Sequence, residues 1–178
     1  GTDEAVAGSF LKVDPLPPYT TTTYVNVTGS TKPNSKLYIF LNDDPTAKVQ
    51  KIVNTSKFAE QIYLNFGAVQ DGIAGKNKIK IISWDPEMKK DSETVETIVD
   101  MNKPILKLND ISGFTNEQQI NISGISETGA RVEIFVNNQS KKAFEVAGNG
   151  TFDAIIQLGN QNQTLTIVAK DKAGNSES

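Results

Sequence analysis

Residues 25–42 read VNVTGSTKPNSKLYIFLN, and residues 120–137, lying 95 positions later, read INISGISETGARVEIFVN. Five of the eighteen aligned positions are identical: Asn26/Asn121, Gly29/Gly124, Ile39/Ile134, Phe40/Phe135 and Asn42/Asn137. Most of the others exchange like for like, as in Val25/Ile120 and Leu37/Val132. The chain is a tandem repeat, and a repeat of this length is a domain. Two similar modules in series serve reach, display or several weak contacts, whereas an active site is usually built once, in one cleft.

Inside the repeat, Leu37, Ile39 and Leu41 alternate with Lys36, Tyr38 and Phe40, and Val132, Ile134 and Val136 alternate with Arg131, Glu133 and Phe135. A period of two is that of a half-buried strand. Later runs match in the same way: Phe58, Ile62 and Leu64 with Phe152, Ile156 and Leu158, and Ile79 and Ile81 with Leu165 and Ile167. Turn sequences such as Lys32-Pro33-Asn34 and Lys172-Ala173-Gly174-Asn175 separate the runs, and no stretch keeps a helical period. Each copy is therefore read as a β-sandwich, and the fold class as all-β, two tandem sandwich domains joined by a short linker.

Residues 11–102 are expected to form domain 1 and residues 103–178 domain 2, with residues 1–10 as a flexible N-terminal segment. Pro104, just before a candidate first strand, suits a strand start because it has no N–H to give a ladder. Domain 1 has extra loop residues at 68–75. Its run from Asp91 to Val99 is a closing strand that domain 2 is expected to lack, which would leave an edge open to strand addition by another chain.

The 178 residues include no His and no Cys. That excludes imidazole relays, thiolate nucleophiles and Cys/His metal sites. The net charge of −3 and the absence of a basic run argue against nucleic acid, and no apolar run is long enough to insert this fragment in a membrane. No pair of acids stands out for carboxylate catalysis, so no catalytic residue, metal site or cofactor is assigned. Asp85 and Asp171 each open a turn; one carboxylate per loop is too few for calcium, and an Asp organising its own turn explains both. A Lys–Asn isopeptide cross-link would need a buried lysine that the sequence does not single out. Six Asn-x-Ser/Thr sequons, at Asn26, Asn54, Asn121, Asn138, Asn149 and Asn162, are counted as composition in an Asn-rich chain.

The second copy resembles the bacterial immunoglobulin-like repeats of secreted and cell-surface proteins, including those beside catalytic domains in glucodextranase-like enzymes. Ile120-Asn121-Ile122-Ser123-Gly124, the run from Gly129 to Ile134, Gly148-Asn149-Gly150-Thr151-Phe152, Leu158-Gly159 and the run from Ala169 to Asn175 follow that family pattern in order. The first copy departs from it at Pro86-Glu87-Met88-Lys89-Lys90, where the Ala-Gly-Asn turn is absent, and at the loop insertion. The resemblance implies a non-enzymatic spacer, stalk or adhesion module located outside the cell or on its surface, with a protein or glycan partner there. An alternative is a carbohydrate-binding accessory module of a secreted glycoside hydrolase.

Strand parity supplies the candidate binding residues. If Leu37, Ile39 and Leu41 face the core, Tyr38 and Phe40 face outward; if Ile79 and Ile81 face it, Ile82 and Trp84 do not. In the Ig-like order these strands are neighbours, so Tyr38, Phe40, Ile82 and Trp84 would form one patch, where domain 2 offers Glu133, Phe135, Val168 and Lys170. The competing expectation is that the N-terminal segment or the 68–75 insertion covers them.

Overall fold

The computed structural model describes residues 9–178, and the chain divides between Asp100 and Met101. Residues 1–8 of the expected flexible segment lie outside the described residues. Leu11, just after that segment, is fully buried, and its backbone N–H donates to Asp91 Oδ2 at 2.9 Å.

Domain 1 is built from β1 (Lys12–Val13), β2 (Tyr19–Thr20), β3 (Tyr24–Ser30), β4 (Ser35–Leu41), β5 (Val49–Val53), β6 (Lys57–Tyr63), β7 (Val69–Gln70), β8 (Ile73–Ala74), β9 (Lys76–Trp84) and β10 (Lys90–Val99). One sheet has the order β1-β3-β6 and the other β2-β10-β9-β4-β5; the 68–75 insertion adds the hairpin β7-β8. The chain's first strands are shared between the sheets, β1 antiparallel to β3 and β2 parallel to β10, which is an Ig-like arrangement. Val25, Val27, Phe58 and Ile62 from one sheet meet Leu37, Ile39, Leu41, Ile79 and Ile81 from the other in a single core. The alternation read in β4 is the cause: its inward residues are 8% exposed or less.

Domain 2 repeats the plan with β11 (Leu106–Leu108), β12 (Gln119–Ser126), β13 (Arg131–Val136), β14 (Gln139–Glu145), β15 (Thr151–Gln157), β16 (Leu165–Lys170) and β17 (Ser176–Glu177). Its sheets are β11-β12-β15 and β14-β13-β16-β17, and Val132, Ile134 and Val136 fill the core as their counterparts do in domain 1. A closing strand is present only as the two residues of β17, which pair with Ala169 and Lys170. Against it, β10 runs beside β9 from Lys90 to Ile98.

Two of the repeated identities have a direct structural cause. A Cβ on Gly29 would collide with the carbonyl oxygen of Lys12, and one on Gly124 with that of Lys107, because the first strand of each domain crosses there. Asn42 and Asn137 both sit at positive φ, 54° and 51°, a conformation asparagine tolerates better than other residues with a Cβ. Each accepts through its side-chain oxygen from the next strand, from Lys78 N and Thr164 N at 2.9 Å, and each donates its own N–H back to the same residue. This pair of bonds fastens the end of β4 or β13 to its neighbour.

The turn after β9 corrects the sequence reading. Asp85 Oδ1 accepts from Lys89 N at 2.8 Å, and Asp85 N donates to Lys89 O. Asp171 Oδ1 likewise accepts from Gly174 N and Asn175 N at 2.8 Å, and Asp171 N donates to Asn175 O. Domain 1 thus keeps the turn without its Gly-Asn sequence, with Met88 at φ 64° where domain 2 has Gly174 at φ 99°. In both, one carboxylate oxygen of the Asp is occupied by its own turn, and Asp85 Oδ2 also accepts from Lys32 Nζ at 2.9 Å.

Candidate functional site

The antiparallel register of β4 with β9 sets Tyr38 opposite Ile82, Phe40 opposite Lys80 and Lys36 opposite Trp84. Since Leu37 faces Ser83 and Ile39 faces Ile81 on the inner side, Tyr38, Phe40, Ile82 and Trp84 share the outer face. All four are partly exposed. On one flank, Ile52 of β5 pairs with Lys36 and is 54% exposed; on the other, β10 sets Lys90 opposite Trp84, with the ammonium 5.8 Å from the ring centroid.

Neither expected cover lies on the patch within the described residues. The start of the chain joins the opposite sheet through Lys12, which pairs with Ser30. The inserted hairpin packs at the other end of β9, where Asp71 binds Lys76 and Lys78, each at 2.9 Å. These bonds, Lys76 first, hold the Asp71 carboxyl below its ordinary value.

The same sheet face carries a charge gradient that the sequence reading missed. At the hairpin end each cation is neutralised: Lys76 and Lys78 by Asp71, Lys76 also by Glu96 at 3.2 Å, and Lys48 by Asp44 at 2.6 Å. Around the aromatic patch, Lys36, Lys80 and Lys90 are exposed and make no carboxylate contact among the described residues. They come from three strands, 36, 80 and 90 in sequence, so no basic run announces them.

In domain 2 the equivalent register pairs Glu133 with Val168, Phe135 with Thr166 and Arg131 with Lys170, and Glu145 lies beside Arg131. Charges of both signs replace Tyr38 and Trp84, and Glu133 accepts from Ser140 at 3.1 Å.

A cleft of about 660 Å³ at one end of domain 1 is lined by Asn42, Asp43, Tyr63, Asn65 and Gln70 among others. Much of its polarity serves the fold. Fully buried Asn77 accepts from Asn42 Nδ2 at 3.1 Å and from Asn65 N at 2.9 Å, and donates to Asn65 O and Gly75 O at 3.0 Å. All its side-chain capacity is used in tying the insertion to β9.

Among the described lysines only Lys76 and Lys78 are even partly buried. The hydrogen bonds that Lys76 donates to Asp71 and Glu96 raise its pKa, which favours the protonated form over the free amine that an isopeptide bond requires. Among the described residues no three acids gather as a metal site.

No protein-family model matches the chain, and no curated protein does. Solved structures that it is similar to include one concerned with host cell surface retention of a 1.5-MDa bacterial ice-binding adhesin (14% identity, TM-score 0.41, 93% of this chain, 60% of that one). Another is a Ca2+-stabilized adhesin of an Antarctic bacterium (14% identity, TM-score 0.42, 98% of this chain, 47% of that one). A third is a tetra-tandem repeat in the extending region of a large adhesion protein (17% identity, TM-score 0.40, 93% of this chain). The chain spans 46% of that third structure, so in all three it covers less than two thirds of the other chain.

Proposed function

We propose that this chain is a non-catalytic pair of Ig-like repeats from an extracellular or cell-surface protein, in which both domains give length and domain 1 also gives adhesion. The observation that carries the reading is the outer face of β4 and β9, with Tyr38, Phe40, Ile82 and Trp84 on domain 1 and no matching aromatic set on domain 2. A contiguous patch of aromatic and aliphatic groups on a sheet surface marks an interaction site. The duplication supports a spacer role, since the second copy adds a sandwich of the same plan without that face.

A second reading, a carbohydrate-binding accessory module of a secreted glycoside hydrolase, is favoured by Trp84 and Tyr38 sharing one sheet face. The two readings part on what else the parent protein carries. Antibodies raised against this chain test the location: labelling of intact cells of the source organism, or recovery in the medium, is the expected result. Labelling only after permeabilisation would overturn it.

A further inference from the structure

We infer that the outer face of domain 1 binds an acidic polysaccharide, with Trp84 and Tyr38 against sugar rings and Lys36, Lys80 and Lys90 against the carboxylates. This rests on the adhesive reading above and names the partner's chemistry.

The geometry argues for a polymer lying along a surface. The patch lies on the outer face of a sheet, and its apolar groups run across three adjacent strands, from Ile52 through Tyr38 and Phe40 to Ile82 and Trp84. A ring face offers a pyranose an apolar surface for its C–H groups, and Ile82 beside Tyr38 widens that surface.

The charge argues for an anion. Lys36 and Lys90 flank Trp84 from β4 and β10, and Lys80 sits opposite Phe40. Elsewhere on this face each lysine has a carboxylate within 3.2 Å, yet these three have none among the described residues. A positive rim around an apolar centre, in a chain of net charge −3, is local complementarity and not a general attraction to polyanions. Single-stranded nucleic acid also combines stacking with cations, but it needs a groove neutralising many phosphates, and three lysines on a net acidic protein fall short of that.

Trp84 is the chain's single tryptophan, so its fluorescence reports this face alone. The full chain is titrated with polygalacturonate, with the same polymer after methyl esterification, and with oligo(dT), each at low and high salt. The expected result is saturable binding of polygalacturonate, weakened about tenfold or more by esterification or by high salt. Replacing all three lysines, Lys36→Gln, Lys80→Gln and Lys90→Gln, should weaken it comparably without moving the melting transition, whereas Lys142→Gln on domain 2 should change nothing. Trp84→Ala, followed by calorimetry, should abolish it. Equal binding of the esterified polymer would overturn the anionic assignment, tighter binding of oligo(dT) would overturn the sugar, and no response to any of them would overturn both. None of these outcomes bears on the surface location, which the antibody experiment reads separately.

Discussion

Domains 1 and 2 share a frame and differ in what they put on it. Ile39 and Ile134 are both fully buried, Gly29 and Gly124 both admit a crossing strand, and Asn42 and Asn137 fasten the ends of β4 and β13 to their neighbours. On the outer side of that same strand pair, domain 1 has Tyr38 and Trp84 where domain 2 has Glu133 and Lys170. Inward positions are held by packing, where a changed volume or a buried charge is costly, while outward positions are free to take a function. The difference between the copies therefore separates what the sandwich needs from what domain 1 is proposed to add.

The largest effect should come from attacking the shared frame in one copy. Ile39→Asp places an unpaired charge among Leu37, Ile79 and Ile81 and should cost more than about 4 kcal/mol, enough to unfold a domain of ordinary stability. Because domain 2 has a core of its own, calorimetry should show one transition lost and one retained. A joint loss of both would break the comparison at its root.

The loop ends of the two domains differ next. Asn77 makes four hydrogen bonds, but the corresponding Gln163 has its Oε1 buried without a protein partner. Asn77→Ala should lower domain 1's stability by about 2–4 kcal/mol by orphaning buried backbone groups, read as a lower urea midpoint for that transition.

Acid should act on domain 1 through its held carboxylates. Lys32, then Lys89 N–H, keep Asp85 below its ordinary value, and Lys48 does the same for Asp44. Burial pushes Asp91 up, but N–H and hydroxyl donors at Leu11 and Ser9 outweigh it. A depressed folded pKa gives stability that is present above the unfolded value of 3.8 and lost as pH falls through the folded value. The domain 1 melting temperature should thus fall from about pH 4 downward, and Asp85→Asn should reduce that dependence.

The smallest effect concerns the turn that the sequences disguise. Met88→Gly relieves a left-handed residue at the place where domain 2 already has glycine, and should stabilise domain 1 by about 0.5–1 kcal/mol, the relief being partly offset by glycine's greater freedom in the unfolded chain.

Much of this frame was legible because periodicity and repetition report burial. Parity set Tyr38, Phe40, Ile82 and Trp84 outward, since a strand has only two sides, and the Ig-like strand order set their two strands side by side. The lysine rim was not legible, because Lys36, Lys80 and Lys90 become neighbours only through β-sheet register. Asn77 was missed because a polar residue in a strand reads as exposed unless its partners, Asn42 and Asn65, are known. The domain 1 turn was legible in part: Asp85 was read as its organiser, but the left-handed backbone that Met88 adopts carries no Gly-Asn signal.

The central claim, that one outer face on a common frame carries the adhesion, is tested most directly by moving the face. In a chain with Tyr38→Glu and Trp84→Lys, domain 2 receives Glu133→Tyr, Thr166→Lys, Lys170→Trp and Ser176→Lys, the positions that the register makes equivalent. Titration with polygalacturonate, following the relocated tryptophan, should show binding restored by domain 2 to within about tenfold of the original affinity. Two intact melting transitions with no binding in the transplanted chain would contradict the account.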